Sequence, residues 1–380
     1  MKATRYRAAI LTSVFLLIIS FPMLNGSLQL VKDSENTENR APAEKPELDI
    51  SYLDGFPKKY DKYYSDNFSL RQLLIKSYNY LNLLIFKKSP VPGVIIGNDG
   101  WLFLGGTEND NYTGKNPLTF KELEDFRLEL EYRQKYLNDR GIRFYVLIAP
   151  VKASIYPEYM SMNSMRKSNL SWGEQLLHYL KTRTSLNMPD VYTELRSHKN
   201  SGQLYCRLDN HWNDRGAFYT ANLMLSEISR HLNGVDTLNI ADYYCNRTVT
   251  RTGNLSRMLS NCTFFTDTTI IMGPVGGYKS VKGPKAGYPV VEGFPYAYEY
   301  ENVKVNKDTT KPRLLIISDS FGGSIFPFLA ESFSKTTKIF DGWQYKLNEE
   351  IVEKEKPDVV ILLMLESNMR SLLNHQSRKK

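Results

Sequence analysis

The chain has 380 residues, 42% of them apolar, and a formal net charge of +8. This apolar content excludes a disordered chain and is enough for one large domain or two small ones with a buried core. The only long basic run is Arg378-Lys379-Lys380, and zinc-finger, helix-turn-helix and RNA-binding patterns do not occur, so the charge indicates general attraction to anionic surfaces, with nucleic-acid binding as the weaker alternative.

The N-terminus has the pattern of a membrane segment. Three basic residues precede an uncharged apolar run from Ala8 to Leu24. With its flanks the run is long enough for one membrane crossing, and the positive charge before it predicts a cytoplasmic N-terminus and an exported remainder. A signal peptide opens in the same way, and Leu24-Asn25-Gly26 is the best cleavage site available. We therefore expect residues 1–27 to be an uncleaved anchor, with a cleaved signal sequence as the alternative.

Residues 28–45 are charged and poor in apolar side chains, which is typical of a linker between membrane and domain. We expect the extracytoplasmic domain at residues 46–375. From Ile50 to Phe86, apolar residues recur at spacings of three and four, which predicts amphipathic helices. The aromatic stripe within this stretch, from Phe56 to Phe68, is interpreted as core packing, with a sugar-binding platform as the alternative.

A hairpin and a strand-helix-strand pattern follow. Val94-Ile95-Ile96 and Trp101 to Leu104 flank Gly97-Asn98-Asp99-Gly100, whose residues tolerate positive φ, so a hairpin is predicted. Thr119 with Glu122 predicts a capping box that begins a helix ending at Asn138. Arg143 to Ile148 then predicts a buried strand.

Lys152 follows the end of that strand, after Pro150. Ligands of an open α/β sheet gather at the carboxyl ends of its strands. Lys152 is therefore a candidate ligand-binding residue, and the alternative is an ordinary surface cation.

A candidate general base lies in the middle of the chain. Leu170 to Arg183 predicts a helix, Tyr205 to Leu208 a strand, and Asp214 to Leu232 an amphipathic helix. Between them, Asp209 and His211 are two residues apart, so in an extended segment both side chains point to the same side and the carboxylate can orient the imidazole. The alternative is a solvated loop.

The segment 234–309 is rich in Gly, Pro, Tyr and Thr, and we expect an irregular β-rich insertion there. Cysteine usage is compatible with an exported protein that carries one disulfide, Cys245 with Cys262 being favoured over pairs with Cys206. No Cys-x-x-Cys and no histidine pair at helical spacing occurs, so we expect neither a metal site nor a cofactor.

The central motif is an apolar strand, Leu314 to Ile317, that breaks at Ser318-Asp319-Ser320 and leads through two glycines into a predicted helix, Ser324 to Phe333. Such a turn can expose a serine beside backbone N–H groups and the positive end of a helix, which suits a nucleophile whose reaction develops an oxyanion. Ser320 is the candidate nucleophile. A helix cap is the alternative reading, and Ser318 is a weaker rival because it lies inside the apolar run.

The C-terminal part predicts two more strands and a helix: Thr337 to Phe340, Glu349 to Lys356 and Pro357 to Leu365. Aliphatic strands that alternate with helices indicate an α/β fold, in which a mainly parallel sheet is covered on both faces. Glu366 ends the last strand near the expected active-site edge, where it caps the next helix or faces the site.

Several motifs together resemble one family. Asp209-Asn210-His211-Trp212 and Ser318-Asp319-Ser320-Phe321 are similar to motifs of the SGNH-hydrolase-like bacterial polysaccharide O-acetyltransferases, typified by the alginate acetylation proteins, and of the related Asp-His-His-Trp proteins. Matches in the same order along the chain are Glu38-Asn39-Arg40, Gly97 to Phe103, and Ala149 to Lys152 with Tyr156-Pro157. The resemblance covers residues 38 to 370. It departs at Ser318, where the family usually has glycine, and at Asn210.

The resemblance implies a three-layer α/β/α domain and an extracytoplasmic O-acetyltransferase with Ser320, His211 and Asp209 as a catalytic triad. It implies a multispanning membrane acyltransferase as the acetyl donor and a polysaccharide as the acceptor. Lys152 and Trp212 are then candidates for substrate binding. Weaker candidates for oxyanion donors are Phe321 and Asn254, although Asn254 replaces the acid of a Gly-Asp-Leu element. An acetyl esterase with the same triad and a non-catalytic polysaccharide-binding or assembly protein are the alternatives.

Overall fold

The computed structural model describes residues 2–33, 41–48, 50–86, 88–161, 164, 166, 168, 170–250, 252–259, 265–290, 294 and 296–379. The chain divides into two compact units, residues 1–94 with 254–264, and residues 95–253 with 265–380. Glu38-Asn39-Arg40 and Cys262 lie outside the described residues, so the motif match at the first and the disulfide at the second stay predictions. The predicted boundaries of anchor, linker and domain also stay predictions.

The helices and strands are numbered along the chain. The α-helices are α1 (Lys2–Leu28), α2 (Phe56–Asn67), α3 (Arg71–Leu81), α4 (Thr107–Thr113), α5 (Phe120–Asn138), α6 (Lys152–Ile155), α7 (Trp172–Lys181), α8 (Val191–His198), α9 (Asp214–Ser229), α10 (Asn254–Met258), α11 (Gly322–Leu329), α12 (Glu349–Glu355) and α13 (Arg370–Asn374). The strands are β1 (Val94–Ile96), β2 (Leu102–Leu104), β3 (Arg143–Ala149), β4 (Tyr243–Thr250), β5 (Asp267–Pro274), β6 (Val281–Lys282), β7 (Glu301–Val305), β8 (Arg313–Ser318), β9 (Lys335–Phe340) and β10 (Val359–Leu365).

The first unit contains the predicted N-terminal apolar helix. Within α1, the segment Tyr6–Leu28 is long and apolar enough to cross a membrane. Only 6% of its most apolar stretch of 18 residues is buried inside the protein. Thus the prediction of one candidate transmembrane helix is confirmed. Length and composition also fit a signal sequence, and the uncleaved anchor stays a prediction.

The predicted amphipathic helices of the first unit form as α2 and α3, but the interpretation of the aromatic stripe as core packing is wrong. Helix α2 has no buried residue, and Tyr60 and Tyr64 are exposed. The rings of this helix pack on one another, Phe56 on Tyr60 with centroids 5.7 Å apart. Local periodicity predicted the helix correctly, but it does not show whether other side chains pack against the apolar face of the helix.

The second unit is built on a six-stranded sheet with the strand order β3-β10-β8-β9-β7-β6. The pairs β3–β10, β10–β8 and β8–β9 are parallel, whereas β7 pairs antiparallel with β9 and with β6. The predicted α/β fold with a mainly parallel sheet is therefore confirmed. Strands β6 and β7 come from the predicted irregular insertion, which also contributes the separate antiparallel pair β4–β5.

Helices cover both faces of this sheet, as predicted. Alternate residues of each central strand enter different cores: Leu147 and Ile316 pack with α8, α9 and α11, and Val146 and Ile317 pack with α5, α7, α12 and α13. A strand whose neighbours on both sides are apolar has to be aliphatic at every position. This explains the near-continuous aliphatic runs in β3, β8 and β10 and gives the three-layer arrangement.

The predicted capping box forms at the start of α5. The side chain of Thr119 accepts from the N–H of Glu122, whose carboxylate accepts from the N–H of Thr119. Later in this helix, Glu129 and Arg133 form a buried ion pair with an N–O distance of 2.7 Å. Arg133 also donates to the carbonyl of Tyr345, and Glu129 accepts from the N–H groups of Ser377 and Arg378. Helix α5 thereby holds the C-terminal residues.

The register of the parallel strands brings their carboxyl ends to one edge. Leu365 of β10 is level with Ala149 of β3, and Ser318 of β8 pairs with Leu363 of β10 and Phe340 of β9. The loops that follow these strands therefore meet at one edge, where open α/β sheets bind their ligands.

Candidate active site

The turn between β8 and α11, residues 318–323, is called the serine turn below. Ser320 is exposed at its tip, whereas the preceding Asp319 is buried. The carboxylate of Asp319 accepts from the N–H of Phe321 (2.9 Å), the N–H of Leu365 (2.6 Å) and the hydroxyl of Tyr345 (2.5 Å). Burial raises the pKa of Asp319 above its ordinary value, although these hydrogen bonds oppose the shift. Asp319 therefore ties the turn to the end of β10.

The departure at Ser318 is accommodated within the turn. Ser318 is fully buried, and its hydroxyl has no hydrogen-bond partner in the described part of the chain. A Cβ atom at Gly322 would lie 2.0 Å from the Oγ of Ser318. The glycine at 322 thus provides the space that the family's usual glycine would provide at 318, and the rival serine does not reach the surface.

The candidate base lies in an irregular loop, residues 205–212, called the histidine loop below. The predicted strand Tyr205 to Leu208 is wrong, because this segment forms only the isolated bridge Tyr205–Trp212 and turns back on itself. The N–H of Cys206 donates to the carbonyl of His211 at 3.1 Å. Within the turn, a carboxylate oxygen of Asp209 accepts from the N–H of His211 (3.1 Å). The expected pairing of Asp209 and His211 therefore arises in a tight loop.

The serine turn and the histidine loop meet at His211. Its Nδ1 lies 2.7 Å from a carboxylate oxygen of Asp209, and its Nε2 lies 2.8 Å from the Oγ of Ser320. With the proton on Nδ1, the imidazole donates to the carboxylate and can accept the serine proton on Nε2. The arrangement is a hydrogen-bonded relay of the kind that activates a serine hydroxyl for acyl transfer.

The charges around His211 favour its protonated form. Burial alone would lower the pKa of His211, but the hydrogen bond and charge of Asp209, with smaller contributions from Glu108 and Asp319, raise it above the ordinary value. The imidazolium that forms when the serine loses its proton is stabilised in the same way. A raised pKa also means that the neutral base is lost at a higher pH when the solution is acidified.

Lys152 stabilises the histidine loop by hydrogen bonds to its backbone. Its side chain is 1% exposed, and its Nζ donates to the carbonyls of Cys206 (2.8 Å), Arg207 (3.1 Å) and Asp209 (2.7 Å). Burial lowers the pKa of Lys152 to about 8. The prediction that Lys152 contacts a substrate does not fit this geometry, because all three donor protons of the ammonium group are used inside the protein. A positioning role replaces it.

Two of the motifs carried by the resemblance meet around this lysine. The predicted hairpin supplies Trp101 and Phe103, whose ring centroids lie 5.6 and 5.1 Å from the Nζ of Lys152. The N–H of Leu102 donates to the carbonyl of Arg207 at 3.0 Å. The hairpin motif and the motif from Ala149 to Lys152 therefore both contact the loop that carries Asp209 and His211.

A buried carboxyl group lies on the inner side of the loop. Glu108 of α4 accepts a hydrogen bond of 2.8 Å from the side-chain amide of Asn210. Burial raises the pKa of Glu108 to about 7, against the opposing effects of Asn210, His211 and Lys152. The departure at Asn210 thus has a defined partner, which the sequence did not indicate.

Asp267, the first residue of β5, holds the other side of the loop. One of its oxygens accepts from the N–H groups of Arg207 (2.7 Å) and Leu208 (3.3 Å). Gly253 packs against the same segment, since a Cβ atom there would lie 2.3 Å from the carbonyl oxygen of Leu208. Only a residue without a side chain fits so close to the backbone.

The two aromatic candidates have supporting positions. Trp212 is 2% exposed, so it anchors the loop and does not present a face to a sugar. Phe321 is fully buried, and its ring centroid lies 4.8 Å from that of His211 and 5.0 Å from that of Trp212. The prediction of the Phe321 N–H as an oxyanion donor does not fit, because this N–H is bonded to Asp319.

The remaining candidates lie elsewhere. Asn254 is the first residue of α10 and belongs to the first unit, so its role as an oxyanion donor stays a prediction. Glu366 is fully buried and accepts from the N–H of Val151 and the hydroxyls of Ser154 and Tyr192. It does not cap the helix that follows it and does not face the site. Instead it also accepts from the N–H of Gly173 in the first turn of α7 (3.3 Å), and it connects the segments that follow β3 and β10.

A cavity of about 500 Å³ opens beside the relay. Ser320 and His211 line it, together with the loops that follow β9 and β10. Sequence reasoning missed its other walls, such as Trp343 and Tyr296, as well as Glu108 and Asp267. None of these residues belongs to a recognised motif, and no local pattern in the sequence marks them.

Comparisons with known proteins indicate the family. Residues 94–269 match the family described as SGNH hydrolase-like domain, acetyltransferase AlgX. The probable alginate O-acetylase AlgJ of Pseudomonas aeruginosa is 29% identical over 200 residues, which are 52% of this chain and 48% of that protein. AlgJ of Pseudomonas syringae is 25% identical over 173 residues, 46% of this chain and 42% of that protein. The chain thus spans about half the length of the curated relatives it matches.

A solved structure agrees with the fold as well. Bacillus cereus PatB1 superposes with a TM-score of 0.53 at 18% identity, over 72% of this chain and 97% of that one. The predicted resemblance is confirmed: residues 94–269 match the SGNH hydrolase-like domain family of the acetyltransferase AlgX, and the chain is homologous to the AlgJ alginate O-acetylases over about half of its length.

Proposed function

We propose that this chain is an exported, membrane-tethered O-acetyltransferase that acetylates a polysaccharide through an acyl-enzyme on Ser320. The observation that carries the proposal is the position of His211, whose two ring nitrogens lie 2.7 Å from Asp209 and 2.8 Å from Ser320. The match to an acetyltransferase domain supports the reaction class. The curated relatives are named for alginate, so a polysaccharide is the acceptor class that we propose.

In the first half of the reaction, the Nε2 of His211 takes the proton of Ser320 while the serine Oγ attacks the carbonyl carbon of an acetyl ester or thioester. The tetrahedral intermediate collapses when the bond to the donor's leaving group breaks. That group leaves with the proton from His211, and the acetyl group stays on Ser320. Asp209 keeps the proton on Nδ1 throughout.

The N–H of Ser320 is the donor that we propose for the oxyanion. In the serine turn, the N–H groups of Phe321, Gly322 and Gly323 are bonded to Asp319 or Ser320. In the described part of the chain, the N–H of Ser320 donates to no protein acceptor. A free backbone donor beside the nucleophile can stabilise the charge that develops on the carbonyl oxygen.

In the second half, a sugar hydroxyl from the open cavity replaces the leaving group. It gives its proton to His211, its oxygen attacks the acetyl carbon, and Ser320 regains a proton as the acetyl group departs on the sugar. Hydrolysis is the same step with water, so the occupant of the cavity at this moment decides between transferase and esterase.

Helix α1 supports membrane tethering, and the basic residues before it favour a domain on the outer side of the membrane. Acetyl-CoA is cytoplasmic, so the acetyl group has to cross the bilayer. We propose that a multispanning membrane acyltransferase delivers it, as the family resemblance implies.

The test uses the full-length protein in detergent with p-nitrophenyl acetate as donor and an oligosaccharide acceptor. A transferase yields acetylated sugar, detected by mass spectrometry, whereas an esterase yields acetate alone. Ser320→Ala should abolish both products. If Ser320→Ala retains the wild-type rate, the acyl-enzyme is excluded and the non-catalytic alternative gains support.

A further inference from the structure

One wall of the cavity beside Ser320 is aromatic. Tyr296, Phe340 and Trp343 line it. Together with Phe294, which packs on their rings, they are called the aromatic wall below; the ring centroid of Trp343 lies 4.8 Å from that of Phe294 and 5.8 Å from that of Phe340. Phe340 is the last residue of β9, so the sheet edge fixes the base of the wall. The aromatic residues that the sequence offered for sugar binding lie elsewhere.

Two members of the wall present their rings to solvent. Trp343 is 49% exposed and Tyr296 is 47% exposed, whereas the other three tryptophans of the chain are at most 3% exposed. Both side chains line the same cavity as Ser320 and His211. Large exposed aromatic side chains that neighbours hold rigid are typical of ligand-binding surfaces. The apolar faces of pyranose rings are ligands of matching shape.

The charged side chains at this cavity disfavour sugars that carry a carboxylate. Glu299 lines it beside the aromatic wall, and no lysine or arginine occurs among the described lining residues. Lys338 is 6% exposed, and its Nζ lies 5.6 Å from the ring centroid of Phe340. Burial lowers the pKa of Lys338, whereas the charges of Glu299 and Asp319 favour its charged form. Lys285 donates to the carbonyl of Tyr298 and does not line the cavity. An incoming carboxylate would meet the carboxylate of Glu299, and His211, when protonated, is the cation that the described lining offers in its place.

We infer that the aromatic wall and Glu299 form the acceptor subsite, and that it takes a pyranose polymer without carboxylates, built of neutral or amino sugars and not of uronic acids. This inference rests on the proposed function. Trp343 and Tyr296 stack on the sugar rings, and Glu299 accepts hydrogen bonds from hydroxyl or ammonium groups.

The experiment compares three oligosaccharides of equal length, built of β-linked glucose, glucosamine or mannuronate, with the full-length protein and p-nitrophenyl acetate. We expect the KM for mannuronate to exceed that for the better of the other two by about tenfold or more. Trp343→Ala should raise the KM for that acceptor about tenfold, which is more than the effect on the KM for p-nitrophenyl acetate. Tyr132→Ala, an exposed aromatic residue of α5, is the control and should change neither. Glu299→Lys should lower the KM for mannuronate.

Equal or better use of mannuronate, or an unchanged acceptor KM in Trp343→Ala, would overturn the inference while leaving the acyl-enzyme mechanism intact. If the wild-type protein releases no p-nitrophenol in a Ser320-dependent way, the proposed function is wrong, and the inference fails with it. If transfer is slow with all three acceptors, calorimetric titration of the same oligosaccharides into Ser320→Ala ranks them by binding affinity. Tighter binding of mannuronate there contradicts the subsite.

Discussion

The serine turn and the histidine loop differ in what holds them in place. The serine turn connects a central strand to a helix, and backbone hydrogen bonds together with Asp319 fix its conformation. The histidine loop has one bridge pair of its own. Its shape depends on buried charged side chains from distant parts of the chain, namely Lys152, Asp267 and Glu108 through Asn210.

This difference has a consequence for function. A turn fixed at a sheet edge by backbone hydrogen bonds is less sensitive to changes in pH and in surrounding side chains, although the buried Asp319 adds an ionisable group to it. A loop fixed by buried ionisable groups is sensitive to both. The position of the base should therefore be easier to disturb than the position of the nucleophile.

The largest expected effect is at the nucleophile. Ser320→Ala should lower kcat for release of p-nitrophenol by about 10⁵- to 10⁶-fold, because no other group at that position can carry the acetyl group. Ser318→Ala is the matched control and should keep nearly wild-type activity, since Ser318 is buried in the same turn. Loss of activity in Ser318→Ala with Ser320→Ala active would reverse the assignment.

The next effect is at the group that orients the base. Asp209→Asn should lower kcat by about 10³- to 10⁴-fold, because the amide no longer fixes the proton on Nδ1 of His211. Since Asp209 raises the pKa of His211, its removal lowers that pKa. The acidic limb of the pH–rate profile should move to lower pH. A limb that stays in place would mean that another group titrates.

A smaller loss is expected when the support of the histidine loop is removed. Lys152→Met should lower kcat about 10- to 100-fold and the free energy of unfolding by about 2–4 kcal/mol, because three buried carbonyls lose their donor. The KM for the acceptor should change little. A rise in that KM with an unchanged kcat would restore the prediction of a substrate contact and weaken the contrast between the two segments.

The smallest effect concerns Glu108. Its pKa is about 7 in the folded protein and near 4.5 when unfolded, so the protonated form is favoured by folding. The stability gained is present below pH 4.5 and is lost as pH rises through 7, by no more than about 3 kcal/mol. The Tm of Glu108→Gln should therefore fall less than that of the wild type between pH 5 and 8. Parallel curves would contradict a buried, titrating Glu108.

Sequence patterns predicted the serine turn better than the histidine loop for a physical reason. The strand β8, the capping box of α5 and the aliphatic run of β10 are set by local spacing and by burial on both faces, and these properties are visible in a short window. Ser320 follows from such a window. The hydrogen bond between Asp209 and His211 was predicted correctly, but it forms in a tight loop and not in the expected extended segment.

The contacts that the sequence did not reveal join distant residues. Glu108 and Asn210 are 102 positions apart, and Lys152 is 54 or more positions from the carbonyls that it binds. Lys152 was placed at the correct end of the sheet, yet its burial could not be read from its neighbours. The same holds for Trp343, whose exposure depends on the packing of Phe294 and Phe340 behind it.

The hydrogen bonds that helix α5 makes to the C-terminal residues have a practical consequence. Ser377 and Arg378 bind Glu129, the partner of Arg133, and Arg133 binds the backbone of Tyr345, whose hydroxyl holds Asp319. An affinity tag fused behind Lys380, or a protease that removes the last few amino acids, would therefore disturb a series of contacts that ends one residue before Ser320. Preparations for kinetic work are better purified by another handle.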